Sequence, residues 1–526
     1  MAIPERPNIL LLMADQFRAD CVGANGNRAI RTPNLDAVAR TGISFPRAYS
    51  STPSCTPARA GLLTGWAPWR HGMLGYGRVA ERYGNEMPRM LREAGYYTMG
   101  IGKMHWHPQR NLHGFHRTLV DESGRIEAPG FVSDYRQWFR REAPGLDADA
   151  TGIGWNDYAA KPYGLPEHLH PTRWTGDRAV EFLQGYREPS PWFLKVSFAR
   201  PHSPYDPPER FWRMYEDAEL PRAVVGRWAE RYARRGDDLR PSTWWGDLGA
   251  DQVRASRQGY YGAVTFIDEQ IGRILAELDR RGEASRTLVV FTSDHGDMTG
   301  DHHLWRKTYP YEASARVPML MRWPDRLRPV ARGPRTPVEL RDVLPTFMDA
   351  AGVVPRPYAF DGISLLDLAA GRRGASPRYL DLEHSRCYWP ESDWTGITDG
   401  RHKYIHWSIT GEEQLFDLQR DPNELRDLAP EAASSALLRA WRGRMAGHLA
   451  ARGDGWVETG APRRRAKAML YSTNYPGRER SHSGRRRLRR WSSVRPPGPH
   501  PPTSAAGGRF ISSVMAPMCP RRPHRP

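Results

Sequence analysis

The chain has 526 residues, is 39% hydrophobic and 26% charged, and carries a formal net charge of +18. That length supports a large core and two domains. Four scattered cysteines, Cys21, Cys55, Cys387 and Cys519, exclude a disulfide scaffold, and the absence of any apolar run near ~18 residues excludes a membrane-spanning helix. The first residues lack a signal-peptide layout, so a cytoplasmic protein with no membrane partner is expected.

The charge is uneven. From Arg463 onward there are 16 Lys/Arg and one acidic residue, Glu479, which leaves only +3 for the body. This Arg/Pro-rich stretch, 463–526, has no apolar periodicity and reads as an unfolded, solvated tail. A nucleic-acid tether is the lesser reading of it.

In chain order, Asn8–Met13 is an apolar strand leading to Asp15-Gln16. The run Asn34 to Arg40 predicts a helix with Asn34 as its cap and a stop at Gly42. Pro57 suits a first helical position, which places Cys55 at the N-terminus of a helix running through Arg59 and Leu63 to Gly65. Free backbone N–H groups, the helix dipole and the Arg59 guanidinium all favour an anion beside that thiol.

A helix through Leu91 ends at Gly95, and strand Tyr97–Gly102 leads to Lys103 and His105. Strand Trp192–Phe198 leads to His202, and strand Thr287–Ser293 to Asp294-His295. Between the last two, Ile267, Ile271, Ile274 and Leu278 recur at helical spacing. Strands alternating with helices predict an α/β fold, a mostly parallel sheet covered on both faces, over residues 1–370. Ligands bind at the carboxyl ends of such strands, and four polar clusters there imply one shared site.

Residues 371–462 read differently. Short strands around Tyr379–Leu382, Trp394–Thr398, Lys403–Trp407 and Gln414–Leu418, with an Asp399-Gly400 turn and a helix from about 433 to 451, predict a small antiparallel-sheet subdomain.

The polar clusters suggest chemistry. Asp15-Gln16 and Asp294-His295 can converge on one divalent cation, with three oxygen donors and one nitrogen. The leaving oxygen of an ester needs a proton, and His or Lys, as at Lys103, His105 and His202, is a residue type that can supply it. His107, His302 and His303 either line the pocket or cap turns.

The run Cys55-Thr56-Pro57-Ala58-Arg59, followed by Leu62-Leu63-Thr64-Gly65, resembles the sulfatase signature. Gly102-Lys103-Met104-His105, Pro201-His202-Ser203-Pro204, the Gly300–Lys307 run and Glu413–Leu418 resemble further sulfatase text in the same order, over residues 6–430. The resemblance implies an alkaline-phosphatase-like fold. It implies that a formylglycine-generating enzyme oxidises Cys55 to formylglycine (3-oxoalanine), whose hydrated aldehyde is the nucleophile. Arg59 and Lys103 then hold the hydrate, His105 orients it, and His202 and Lys307 contact the ester, with His202 as the acid. Asp15, Gln16, Asp294 and His295 become the metal ligands.

Many sulfatases have Asp where this chain has Gln16, whereas choline sulfatases and phosphonate monoester hydrolases share Asp-Gln with Asp-His. With one negative charge fewer, Ca²⁺ is the first expectation and Mn²⁺ the alternative. The implied reaction is hydrolysis of an aryl, carbohydrate or small-alcohol sulfate monoester; the alternative is a phosphonate monoester or phosphodiester. Trp106 and Trp305 are expected to line the pocket.

Overall fold

Asn8–Asp15 (β1) is buried along its whole length. Ile9, Leu11 and Met13 enter one apolar core, and Leu10, Leu12 and Ala14 enter another on the opposite face. A strand covered on both sides reads as an unbroken apolar run, which is the pattern in the sequence. The computed structural model describes residues 6–234, 242–330, 333–353, 359–372, 377–386, 388–389 and 391–477.

Six further strands complete the main sheet: Ile43–Ser44 (β2), Tyr97–Gly102 (β3), Arg117–Val120 (β4), Trp192–Pro201 (β5), Thr287–Ser293 (β6) and Met319–Arg322 (β7). Their spatial order is β2-β7-β6-β1-β5-β3-β4. The five strands from β6 to β4 are parallel, and β7 and β2 add an antiparallel edge.

Helices Pro33–Arg40 (α1), Cys55–Thr64 (α2), Met87–Glu93 (α3), Pro171–Gly185 (α4), Ala250–Arg280 (α5) and Val343–Ala350 (α6) cover the sheet. Apolar residues of α2, α3 and α6 pack on the Ile9 face; those of α1, α4 and α5 pack on the Leu10 face.

Two helices differ from expectation. In α1 the cap position is Thr32 and Pro33 is the first helical residue; Asn34 instead binds Asp268 through its backbone N–H (3.1 Å) and its side-chain amide (2.9 Å). Helix α5 is far longer than the Ile267–Leu278 stripe. Every residue from Ser256 to Asp268 is buried, so no polar face marks that half of the helix in the sequence.

The second sheet is antiparallel: Leu380–His384 (β8), Trp394–Thr398 (β9), His402–Trp407 (β10) and Glu413–Asp417 (β11). Trp441, Met445 and Leu449 of Ser435–Ala450 (α7) cover one face, against Ile397, Tyr404 and Leu415. The other face packs Leu380, Trp394 and Ile405 against Met298, Leu304, Tyr309 and Tyr311.

The stretch from Arg463 does not begin as an unfolded tail. The Leu74 N–H donates to the Leu470 carbonyl (3.0 Å), the Ser472 N–H donates to the Gly72 carbonyl (2.8 Å), and Tyr475 is buried in the Ile9-face core. A few apolar anchors fix this segment, and a composition averaged over the stretch hides them. The remainder, 478–526, and the reading of it as unfolded lie outside the described residues. Among the described residues no helix is long and apolar enough to cross a membrane.

Candidate active site

Four neighbouring strands deliver the polar clusters side by side. In sheet order, β6 presents Asp294 and His295, β1 presents Asp15 and Gln16, β5 presents His202, and β3 presents Lys103 and His105. Local backbone devices aim them. In β5 the register against β1 jumps, pairing Ala14 with Phe198 but Asp15 with Pro201. This bulge brings the His202 N–H onto the Asp15 carbonyl (3.1 Å). At the end of β3, Gly102 has φ +89 and any Cβ there would lie 2.2 Å from the Ser197 carbonyl.

Helix α2 brings Cys55 and Arg59 over these strand ends. The helix starts at Cys55, so Pro57 is its third residue rather than its first; the missing N–H costs nothing there, because first-turn amides have no intrahelical partner. The Cys55 Sγ lies 3.2 Å from His295 Nε2 and 3.8 Å from Asp15 Oδ1. Burial and the Asp15 carboxylate push the thiol pKa up, but Lys307, Lys103 and His295 outweigh them and lower it.

The Arg59 guanidinium, fully buried, spans both metal-site carboxylates: Nε to Asp294 Oδ2 at 2.9 Å and Nη2 to Asp15 Oδ2 at 3.2 Å. Its Nη1 donates to the Ser197 hydroxyl (3.0 Å). Lys103 Nζ lies 2.6 Å from Asp15 Oδ2. Burial opposes ionisation of Asp15, yet Lys103, His202, Arg59 and His295 hold its carboxyl well below the usual carboxylate range.

The donor set fits a divalent cation. One ligand atom each from Asp15, Asp294, His295 and Cys55 lies within 4.8 Å of the others, all buried. His295 Nδ1 is 2.8 Å from the Gly296 carbonyl, which places a proton on Nδ1 and turns Nε2 toward the cluster; burial lowers the imidazole pKa, but Asp294 and Cys55 outweigh it and raise it. Gly296 is required, since a Cβ would lie 2.0 Å from the Ala313 carbonyl. Next to Asp15, the Gln16 amide is fixed at both ends: its Nε2 donates to Asp297 Oδ2, and its Oε1 accepts from Lys307 Nζ at 2.6 Å. A carboxylate at one end and an ammonium at the other settle which atom is the oxygen.

Lys307 is held by three parts of the fold. The next residue, Thr308, donates its N–H to the Pro53 carbonyl (2.8 Å) before α2 and accepts from Trp394 Nε1 (2.8 Å) on β9. On the same side, the Ser54 hydroxyl meets His384 Nε2 (2.8 Å), tying the start of α2 to β8.

The two remaining histidines have depressed pKa values. Burial, then Lys307 and Lys103, hold the His202 pKa well below its usual value. Its Nδ1 is 2.8 Å from the Ser203 carbonyl, and its Nε2 is buried with no hydrogen-bond partner among the described residues. Burial, then Arg125 and Lys103, do the same to His105. His105 Nε2 accepts from Arg125 Nη1, which puts its proton on Nδ1, another buried atom without a partner among the described residues.

Two expectations fail in detail. Trp106 is 2% exposed, packs in the Ile9-face core and meets His113 edge-on. Trp305 is fully buried, stacks on Tyr158 at 4.3 Å and donates to the Gly246 carbonyl. Trp106 follows His105 and Trp305 lies two residues before Lys307, but each packs in the core instead of presenting a ring face. His302 is also structural, accepting the Gly226 N–H at 3.1 Å. Conversely, sequence reasoning assigned nothing to Asp297, Glu122, Arg125 or Trp155. Glu122 accepts the Met104 and His105 N–H groups (3.0 and 2.7 Å), and Trp155 lies edge-on to His202 with ring centres 5.5 Å apart. Only Asp297 had a signal, its place in the Asp294–Asp297 run.

Comparison with known proteins agrees with this geometry. Residues 7–353 match the sulfatase family, and residues 300–449 match the C-terminal region of N-sulphoglucosamine sulphohydrolase. An arylsulfatase of Clostridium perfringens is 40% identical over 443 residues, 80% of this chain and 90% of that protein. A choline-sulfatase of Rhizobium meliloti is 33% identical over 473 residues, 84% of this chain and 87% of that protein. The crystal structure of a phosphonate monoester hydrolase from Agrobacterium radiobacter superposes with a TM-score of 0.68 at 26% identity, covering 88% of this chain and all of that one. The chain belongs to the sulfatase family and is a sulfuric ester hydrolase.

Proposed function

We propose that the protein hydrolyses a sulfate monoester of an aryl alcohol, a sugar or a small alcohol, using a formylglycine made from Cys55 and one divalent cation held by Asp15, Gln16, Asp294 and His295. The observation that carries this reading is the position of Cys55. It begins α2 with its Sγ 3.2 Å from His295 Nε2, inside the buried Asp15–Asp294–His295 cluster. When present, the cation and the hydrated aldehyde would supply charge neutralisation and an activated oxygen nucleophile.

The chain's own residues do the rest. Asp15, Asp294 and Asp297 balance Arg59, Lys103 and Lys307 in formal charge, so a bound dication leaves the centre net positive and suited to an ester anion. Arg59 holds Asp15 and Asp294 in fixed orientation, so little reorganisation accompanies the reaction. His105 offers Nδ1–H as a donor. His202 offers an Nε2 without a partner among the described residues, and it acts as an acid once the substrate anion offsets the burial and the Lys307 and Lys103 charges that depress its pKa. Lys307, poised on Gln16 Oε1, is the second group within reach of the ester oxygens.

Ca²⁺ is the first candidate for the cation and Mn²⁺ the second, since the His295 nitrogen and the neutral Gln16 soften a carboxylate site. The free thiols Cys21 and Cys55 support a cytoplasmic setting, where maturation requires a formylglycine-generating enzyme.

A second reading, hydrolysis of phosphonate monoesters or phosphodiesters at the same site, is favoured by the Gln16 and His295 pair and by the phosphonate monoester hydrolase likeness. Paired kinetics separate the two. Protein with converted Cys55 is given an aryl sulfate and the matching aryl phosphonate monoester under Ca²⁺ and under Mn²⁺. The first reading predicts higher kcat/KM for the sulfate; a preference for the phosphonate replaces it with the second.

A further inference from the structure

Arg125 reaches the site from the loop after β4 and belongs to no motif. Its backbone is fixed from below. Buried Gln109 donates to the Arg125 carbonyl (2.9 Å) and accepts the Glu127 N–H (2.9 Å), while the Arg125 N–H donates to the Glu122 carbonyl (3.0 Å). The side chain runs back to the two histidines. Nη1 touches His105 Nε2 and the Tyr76 hydroxyl. The guanidinium carbon lies 5.7 Å from the Tyr76 ring centre and 5.4 Å from that of Trp155, the ring set edge-on to His202. The side chain is 20% exposed, and among the described residues neither Nε nor Nη2 has a hydrogen-bond partner. Glu127 Oε1, at 3.9 Å from Nη1, is too distant for a hydrogen bond and offsets only part of the charge.

We propose that Arg125 selects the organic half of the substrate. It takes an anionic substituent, a carboxylate or a second sulfate, on the alcohol being released, and it excludes a quaternary ammonium. The proposal rests on the sulfate-ester reading above. Two physical facts lead to it. A guanidinium with unused donors is a planar fork matched to oxyanions. The Tyr76 and Trp155 rings that could box an alkylammonium are already occupied by the protein's own cation, so a second cation there would meet like charge at close range.

The test compares meta-carboxyphenyl sulfate with meta-trimethylammoniophenyl sulfate in wild type, Arg125→Gln and Arg125→Lys, each checked by thermal unfolding. The change in the kcat/KM ratio between enzymes cancels the different leaving groups. Arg125→Gln should lower the carboxylate-to-ammonium ratio by about tenfold or more, the scale of one hydrogen bond to a charged group, and Arg125→Lys should keep most of it. A ratio unchanged in Arg125→Gln, or moved toward the carboxylate, overturns the proposal. If Arg125→Gln is too slow to assay, inhibition of wild type by the two product phenols decides, and tighter inhibition by the ammonium phenol overturns it. If wild type prefers phosphonates, the same substituents on phenyl phosphonate monoesters carry the test, so failure of the sulfate reading stays separate from failure of the Arg125 assignment.

Discussion

The main sheet and the small C-terminal sheet both bury many charges, but they leave them in different states. At the ends of β6, β1, β5 and β3, ionised groups converge on a buried thiol, and among the described residues His202 Nε2 and His105 Nδ1 have no hydrogen-bond partner. In the small sheet the ions close on one another. Lys403 Nζ binds Glu312 and Glu424, each at 2.8 Å, and the Pro310 carbonyl. Arg452 grips both oxygens of Glu383 (2.7 and 2.8 Å). Buried charge alone therefore does not mark a catalytic site. What marks this one is the convergence of Asp15, Asp294, His295, Lys103 and Arg59 around a buried thiol at the ends of neighbouring parallel strands.

The strongest way to break that comparison is Cys55→Ala. The residue is small and fully buried, so the fold and metal content should persist while turnover falls by about a thousandfold or more, read by steady-state kinetics beside metal analysis. Substantial residual turnover would remove Cys55 from the chemistry.

Lys403→Met should act in the opposite sense. It strands Glu312 and Glu424 in the interior, so urea unfolding should show a loss of about 3 kcal/mol, while kcat of the folded fraction changes little. A kcat collapse without loss of stability would make this cluster catalytic.

Asp297→Ala sharpens the contrast further. Asp297 fixes the Gln16 amide and accepts from the Tyr205 hydroxyl (2.6 Å) without joining the ligand cluster. Metal affinity, read by chelator competition, should fall about 10–100-fold, as for other outer partners of metal ligands.

The smallest effect is on pH. Burial depresses His71 and His384 to about 3. Below the ordinary histidine value the unfolded chain takes up protons that the folded chain refuses, so stability falls as pH drops from about 6.5 toward 3. At pH 5.5 each should cost about 1 kcal/mol relative to pH 7.5 in urea titrations. Flat stability across that window would show that neither ring is held neutral.

Much of this was legible in the sequence because strand-end residues need no tertiary information to be placed. Once β1, β3, β5 and β6 are read as parallel, Asp15, Lys103, His202 and Asp294 must share an edge. Side-chain direction was not legible. Trp106 and Trp305 lie within two residues of His105 and Lys307 but turn into the core, where apolar area outweighs proximity. The first half of α5 was missed because burial on every side removes the polar stripe that periodicity detects. The segment 463–477 was assigned to the tail by average composition, although Leu470 and Tyr475 pin it. Arg125 had no sequence signal, since its role depends on Gln109, Tyr76 and Trp155 meeting in space.

The most direct test of the central claim is turnover measured against the fraction of Cys55 converted to formylglycine. Preparations spanning low to full conversion, obtained by varying the level of a co-expressed formylglycine-generating enzyme and quantified by peptide mass, would be assayed on one aryl sulfate with metal saturating. The account predicts kcat rising in proportion to conversion and extrapolating to near zero for the unmodified thiol. Turnover independent of conversion would contradict it.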